Sequence, residues 1–270
     1  MRTAGLVVLW IPVVLWCDRV ASPAAQVGLG VATWALLIGL LWRRPVPVRV
    51  QTAVVVVFAT VVEYVFSGWL GVYEYRLDHV PAYVPPGHGL VYLAAVAVAG
   101  SPLAVAYRRP LVAATVVVAS GWAAWGVFVS PRPDVLGAFW LLCLLGFLAV
   151  GRAPLLYVGA FVVVSWLELL GTAWGVWQWQ PVDTLVGWVS IGNPPSVAAG
   201  GYGWFDLAAV AVTPLLLRLV GRVRRWGLRR ATPQLPESRT RTAAACSSPL
   251  LVSVPARPSA SGSPPYDVPS

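Results

Sequence analysis

Long apolar segments alternate with short polar ones along most of this chain of 270 residues. A helix needs about 20 apolar residues to cross the hydrocarbon core of a bilayer, with about 17 to 25 as the usual range. This criterion predicts about eight membrane-spanning helices, near residues 4–17, 24–42, 52–71, 89–107, 111–130, 134–150, 154–176 and 203–220. We therefore expect an all-α integral membrane protein.

The first of these segments has a second interpretation. It is short, contains Pro12 and follows Arg2, which is also typical of a secretory signal peptide. No clear small-residue cleavage site follows Cys17, and the internal repeat of the chain requires a helix here. We therefore predict a retained helix over residues 4–17.

Arginines are concentrated in every second connection between the predicted spans, and the alternate connections carry only Arg19, Arg76 and Arg132. The arginine-rich connections and the segment after the last span contain Arg43, Arg44, Arg49, Arg108, Arg109, Arg152, Arg222, Arg224, Arg225, Arg229 and Arg230. Because positive residues are enriched in cytoplasmic loops, this pattern places both termini in the cytoplasm. We expect a multi-pass protein of the plasma membrane.

The composition supports this class of protein. Hydrophobic residues make up 58% of the chain and charged residues 11%, with a mean hydropathy of +0.74. Soluble domains carry about 25% charged residues. The net charge is +9, but the arginines cluster at helix ends and in the tail rather than along a groove, which argues against nucleic-acid binding.

Two connections are long and rich in Trp, Tyr, Pro and Gly: residues 72–88 and 177–202. The arginine pattern predicts that both are extracytoplasmic. Residues 231–270 are rich in Pro, Ser, Thr and Ala without an apolar period, so we expect a disordered cytoplasmic tail.

The two halves of the chain contain the same features in the same order: a glutamate, a glycine, two aromatic residues two positions apart, a Pro-Pro pair and an Ala/Val-rich helix. In the first half these are Glu63, Gly71, Tyr73, Tyr75 and Pro85–Pro86; in the second half they are Glu168, Gly175, Trp177, Trp179 and Pro194–Pro195. The offset predicts two parallel four-helix repeats, residues 1–110 and 111–230, related by an axis along the membrane normal.

Three carboxylates, those of Glu63, Glu168 and Asp206, lie within or at the edge of predicted spans. A charge at the bilayer centre costs about 2.5–3.5 kcal/mol on insertion scales, so such residues usually face a protein interior or a wet cavity. Paired carboxylates can act as general acids or proton carriers. We select these three residues and His88 as candidate catalytic residues. The alternative is that hydrogen bonds tie them off and they only hold helices together.

His88 lies between two glycines in the segment Pro85–Gly89, just before the fourth span, and Asn193 occupies the corresponding place in the second half. His88 could be a base, a donor to a lipid phosphate or an interfacial histidine in a rigid turn. A metal site with His79 matches no ligand spacing, and we predict no metal and no cofactor.

One polar residue and four aromatic residues of the long loops are candidates for substrate binding: Asn193, Tyr73, Tyr75, Trp177 and Trp179. Their alternative role is anchoring at the membrane interface. A helical glutamate followed by glycines and paired aromatic residues resembles carotenoid-pathway membrane proteins over a short stretch in each half, and this resemblance assigns no family.

Three functions remain open from the sequence. The first is an intramembrane enzyme acting on a lipid or isoprenoid substrate from the outer half of the bilayer, which predicts a closed outer pocket lined by the acids. The second is a small transporter or proton-coupled carrier, which predicts a cavity that reaches the midplane. The third is a non-catalytic scaffold, which predicts hydrogen-bonded acids without a cavity. The lipid bilayer is the one partner that all three share, and the oligomeric state stays open.

Overall fold

The structure is a computed structural model that describes residues 2–231, with side chains described as far as Arg222. The chain is mostly helical. Its helices are α1 Arg2–Asp18, α2 Pro23–Leu41, α3 Val46–Glu63, α4 Val84–Ala99, α5 Pro102–Ala106, α6 Arg108–Phe128, α7 Val135–Val150, α8 Pro154–Ala173 and α9 Ala199–Ala231. A π-helix, Tyr64–Trp69, continues α3, and two short strands are β1 Tyr73–Tyr75 and β2 Trp177–Trp179. The predicted tail lies outside the described residues, apart from Ala231.

Five helical segments in the described part of the chain are long and apolar enough to cross a membrane: Pro23–Leu41, Val46–Trp69, Arg108–Phe128, Pro154–Ala173 and Ala199–Arg222. Helices α4 and α7 are apolar but shorter. These helices indicate a membrane protein. Each of the eight predicted segments overlaps a helix, but overlap alone does not establish eight crossings.

The fourth predicted segment, 89–107, differs most from the structure. Helix α4 begins at Val84 and ends at Ala99, and a separate short helix follows. The break occurs because the Ser101 side chain accepts a hydrogen bond from the Ala104 backbone N–H at 3.1 Å and Pro102 begins the next helix. Both residues are favoured at a helix start rather than in a helix interior.

The connections α1–α2, α3–α4, α6–α7 and α8–α9 lie together at one end of the helices. The Arg76 side chain of the α3–α4 connection donates to the Ala21 carbonyl at 2.6 Å. The Arg132 side chain of the α6–α7 connection donates to the carbonyls of Trp179 at 2.5 Å and Ile191 at 2.6 Å, both in the α8–α9 connection. We call this end of the molecule the ribbon side, because strands β1 and β2 pair there to form a two-stranded ribbon.

A two-stranded antiparallel ribbon on the ribbon side corrects the all-α expectation. Strand β1 pairs with β2 in the register Tyr73↔Trp179, Glu74↔Gln178 and Tyr75↔Trp177. Gly71 and Gly175 precede the strands with φ of +60° and +68°, a backbone conformation that favours glycine. The two matching glycines therefore turn each chain from its helix into its strand.

Helices α4 and α8 form the centre of the bundle. Long stretches of both are buried, including Leu90–Ala95 and Leu156–Phe161. Their backbones approach closely at Gly159, because a Cβ there would lie 2.9 Å from the Ala95 carbonyl oxygen and 3.0 Å from the Ala95 Cα. Small residues allow such close packing of helices in a membrane, where lipid provides no hydrophobic drive for association.

We predict that Gly159→Ala destabilises the protein, because the neighbouring backbone atoms cannot move aside as a side chain could. Overpacking costs about 1–3 kcal/mol, and the better helix propensity of alanine offsets up to about 1 kcal/mol of that. The thermal unfolding midpoint of the purified protein in detergent is therefore expected to fall. Gly146→Ala on α7 is the matched control, since no atom lies within 4 Å of its Cβ position. Equal midpoints for the two variants would contradict the close packing of α4 on α8.

Candidate functional site

The ribbon places its side chains on two faces, as the period of two in a strand requires. Glu74 and Gln178 are exposed on the outer face. Tyr73, Tyr75 and Trp177 are buried and Trp179 is partly buried on the inner face. These four aromatic residues each carry an N–H or O–H donor, and they cover the ends of α3 and α8.

Glu63, at the end of α3, is 7% exposed and accepts hydrogen bonds at both oxygens. The hydroxyl groups of Tyr73 and Tyr75 each donate to Oε2 at 2.7 Å. Burial, and after it the nearby Glu63 carboxylate, raise the pKa of both phenols well above the usual value of a tyrosine. Both phenols therefore stay protonated and serve as donors.

The third partner of Glu63 is His88, whose Nε2 lies 2.8 Å from Oε1. The imidazole ring is 5.2 Å from the ring of Tyr202 in a stacked arrangement and 5.5 Å from Phe205 edge-on. The Nδ1 atom is buried and has no hydrogen-bond partner among the described residues. A buried polar atom without a partner usually marks a functional group or a missing ligand.

Glu168, near the end of α8, has the corresponding position in the second half but different partners. It is 4% exposed, and its Oε2 accepts hydrogen bonds from the indole N–H groups of Trp177 at 3.1 Å and Trp179 at 3.2 Å. No described side chain donates to its Oε1. Both oxygens of Glu63 are therefore engaged, whereas one oxygen of Glu168 is available.

A cavity of ≈ 330 Å³ lies beneath the ribbon and borders both glutamates. Ligand pockets typically hold about 300–1,000 Å³, so this volume suits one small or partly enclosed ligand. Its walls are mainly aromatic and aliphatic, and the residues that line it include Phe58, Glu63, Phe66, Tyr73, Tyr75, His88, Glu168, Trp177, Trp179, Tyr202 and Phe205.

The π-helix accounts for the one difference in spacing between the halves. The interval from Glu63 to Gly71 is one residue longer than the interval from Glu168 to Gly175. A π-helix accommodates an extra residue within a helical turn, and such turns occur frequently at functional sites. The insertion at Tyr64–Trp69 therefore lets the first half reach the same ribbon geometry as the second half.

Two of the selected residues do not line the cavity. Asn193 is exposed, and its side-chain oxygen accepts a hydrogen bond from the Trp179 backbone N–H at 3.1 Å. Asn193 therefore holds strand β2 in place and does not take the position in the second half that His88 takes in the first. Asp206 is 4% exposed, and its Oδ2 has no partner among the described residues. The other seven selected residues, Glu63, Glu168, His88, Tyr73, Tyr75, Trp177 and Trp179, surround one space.

Tyr202 and Phe205 complete the site, and the sequence reasoning missed both. Both lie on α9, where Tyr202 is about one turn before Asp206 and Phe205 is one residue before it. The rings of both residues contact the ring of His88. Their position beside an acid in an apolar helix was the available signal. Without a structure, nothing indicated that this face of α9 turns toward α4.

Asp134, at the start of α7, supports the site from outside the cavity. Its carboxylate accepts hydrogen bonds from the backbone N–H groups of Gly137 and Gly192, both at 2.9 Å. Ser196 donates its backbone N–H at 2.5 Å and its hydroxyl at 2.6 Å. Asp134 thus fixes residues 192–196, the segment from which Asn193 holds β2.

We predict that Asp134→Asn lowers stability, because the amide NH₂ would face donors that the carboxylate now accepts from. Hydrogen bonds to charged groups contribute about 1.5–3 kcal/mol each, so we expect a loss of about 2–3 kcal/mol. Thermal unfolding in detergent measures it. Asp78→Asn is the control, since Asp78 is exposed and its φ of 57° is one that asparagine tolerates. A loss no greater for Asp134→Asn than for this control would contradict the anchoring role.

Among the described residues, no group of three His, Cys, Asp or Glu side chains is arranged to hold a metal ion. Comparison of the chain with protein-family models, with curated proteins and with solved structures finds no match.

Proposed function

We propose that this protein is an intramembrane enzyme that transfers a proton to or from a lipid or isoprenoid substrate bound in the cavity beneath the ribbon. The observation that carries this proposal is the state of Glu168. One of its oxygens is fixed by two indole N–H groups, and the other has no partner among the described residues. A carboxyl group that is oriented at one oxygen and free at the other, on the wall of an apolar cavity, is suited to general acid–base catalysis.

His88 is the second group in this proposal, and Glu63 is its positioning residue. Because Oε2 of Glu63 already receives two phenolic protons, we assign Oε1 as the acceptor and Nε2 of His88 as the donor. A neutral imidazole that donates through Nε2 has its lone pair on Nδ1. Nδ1 is therefore the atom of His88 that can accept a proton or a hydrogen bond.

The aromatic walls favour an isoprenoid or another unsaturated lipid. Protonation of a double bond creates positive charge, and aromatic faces attract a cation within about 6 Å. Trp177, Trp179, Tyr73, Tyr202 and Phe205 supply such faces around the two glutamates. This arrangement would stabilise a developing cation, while the apolar walls keep water away from it.

Cavity depth favours a second candidate, a proton-coupled carrier. Trp10, Thr33 and Phe58 line the cavity and each lies near the middle of its helix. A carrier needs a route from this depth to the opposite end of the bundle, yet the residues that line the cavity come from the halves of the helices nearest the ribbon. The enzyme therefore remains the first proposal. A scaffold accounts for the hydrogen bonds but not for the cavity.

The topology belongs to the same proposal. We propose eight crossings in two parallel four-helix repeats, residues 1–110 and 111–230, in the plasma membrane with both termini in the cytoplasm. The matching glycines and the pairing of Tyr73 and Tyr75 with Trp179 and Trp177 support the repeat. The ribbon side, which contains the arginine-poor connections, would then face outward.

We predict that Glu168→Gln abolishes the product and leaves the fold intact. General acid–base catalysis contributes about 10²–10⁴-fold to a rate, so the lipid product should fall by a factor in that range. The measurement is an untargeted comparison of lipid extracts from cells that lack the gene, complemented with wild type or variant. His88→Gln should lose the product as well.

Glu74→Gln is the matched control, because Glu74 lies on the same ribbon but on its exposed face. Its extract should equal that of wild type at equal protein levels. Extracts that are identical for wild type, Glu168→Gln and empty cells would contradict the enzyme and direct attention to uptake assays for the carrier.

A further inference from the structure

Two residues that line the cavity are also exposed on the outer surface of the helix bundle. Phe58 on α3 and Phe66 on the π-helix are each 36% exposed. A side chain that borders a cavity on one side and the surroundings on the other lies at an opening or at a thin wall. The cavity is therefore separated from the outer surface beside α3 by no more than these side chains.

At several other helix boundaries, glycines allow the helices to pack in close contact. Gly159 packs on the Ala95 backbone between α4 and α8, and Gly89 leaves no space against Leu37 and Val56. Between α7 and α9, Gly200 packs on the backbone of Trp140 and Gly203 packs on the ring of Phe147. Trp204 also lines the cavity and is 48% exposed, and its ring packs edge-on against Phe147 at 5.3 Å, so it forms part of the wall between α7 and α9.

The boundary between α3 and α9 is different. Val55 and Ala59 of α3 and Ala209 of α9 belong to one buried cluster that also contains residues of α4 and α8. The rings of Phe58 and Phe205 lie 5.3 Å apart edge-on. Nearer the ribbon, residues of both segments line the cavity, among them Phe66 and Tyr202. Between the Phe58–Phe205 contact and the π-helix, exposed side chains of α3 and the π-helix line the cavity, and this is where a lateral opening would lie.

We propose that a lipid with a hydroxyl or carbonyl end group enters the cavity sideways from the bilayer, through this opening between α3 and α9. This inference rests on the proposed function of the same cavity, and it names the route and the orientation of the substrate. The polar end binds beside Glu168, His88 and Tyr202, and the apolar chain leaves past Phe58 and Phe66 into the membrane.

The distribution of polarity determines this orientation. The Glu168 carboxyl group, which has one oxygen without a described donor, and the His88–Glu63 pair lie at the ribbon end of the cavity. Toward Phe58 and Phe205 the walls are aromatic and continue into the exposed apolar surface of the helices. A cavity of ≈ 330 Å³ is near the lower end of the range for ligand pockets of about 300–1,000 Å³. A long chain would therefore extend outside through the opening.

An apolar loop stands next to the opening. The Thr184 hydroxyl donates to the Leu70 carbonyl at 2.6 Å, which fastens the loop to the end of the π-helix. Leu185 and Trp188 on this loop are 66% and 74% exposed, and Trp69 on the π-helix is 81% exposed. Exposed tryptophans with leucine suit the membrane interface, so the lipid headgroup region would surround the upper edge of the opening.

The experiment uses geranylgeraniol carrying a photoreactive diazirine, added to the full-length protein in lipid nanodiscs. After irradiation, mass spectrometry locates the adducts. We expect adducts on the segments of Tyr202 and His88 that unlabelled geranylgeraniol competes away, and adducts around Val117 on the outside of α6 that it does not. Absence of competable adducts in the cavity would overturn the proposal.

A second step tests the route. In a background with Cys17, Cys143 and Cys246 replaced by serine, Phe66→Cys is modified with a bulky maleimide before the probe is added. The competable adducts should then be lost. The same modification of Val117→Cys, at a residue 70% exposed on α6, should leave them unchanged. Equal cavity labelling of both modified proteins would overturn the lateral route.

Glu168→Gln separates this inference from the proposed function. The variant retains the opening and a hydrogen-bonding group, so it should still give competable adducts. Labelling of this variant together with unchanged lipid extracts in cells would support the lateral site and contradict the enzyme. Loss of labelling only after blocking Phe66→Cys would support the route whatever reaction follows.

Discussion

The antiparallel pairing of β1 with β2 joins the end of the π-helix to the end of α8 and directs four aromatic side chains toward two buried carboxylates. Without this ribbon, the carboxylates of Glu63 and Glu168 would lose the hydrogen-bond donors of its aromatic side chains. Burying a carboxylate without hydrogen-bond partners costs free energy of folding. The ribbon therefore supplies the hydrogen bonds that allow acids to remain beside an apolar cavity. Arg132, Asp134 and Asn193 hold the ribbon from the neighbouring connections.

The two halves of the site share the arrangement of a buried glutamate beneath two aromatic residues, but the groups that donate hydrogen bonds to the two glutamates differ. Phenols and an imidazole donate to both oxygens of Glu63, whereas two indoles donate to one oxygen of Glu168. An indole offers a single N–H and accepts nothing, so it orients the carboxylate and adds no proton acceptor to the site. In the proposed enzyme, this difference makes Glu63 the support for His88 and Glu168 the group that exchanges a proton with the ligand.

The sequence was sufficient to predict a mostly helical membrane protein, because apolar length is a strong signal. It also selected seven residues that the structure brings around one cavity, because buried charge beside aromatic residues is conspicuous in an apolar chain. It could not predict the ribbon, since two strands of three residues carry no periodic pattern. It also missed Tyr202 and Phe205, whose role depends on how α9 is rotated against α4. Asn193 was assigned by alignment with His88, but its side-chain oxygen accepts a hydrogen bond from the Trp179 N–H and does not line the cavity.

A double-mutant cycle for stability tests most directly whether the ribbon holds the two acids. Glu63→Leu is combined with Tyr75→Phe, and Glu168→Leu with Trp177→Phe; Glu168→Leu with Tyr75→Phe is the crossed pair. Each cycle within a cluster should give a coupling of about 0.5–1.7 kcal/mol, as for side-chain hydrogen bonds in membrane proteins. The crossed pair should be nearly additive. Additive effects in all three cycles would contradict the account, because the aromatic donors would then not bind the carboxylates.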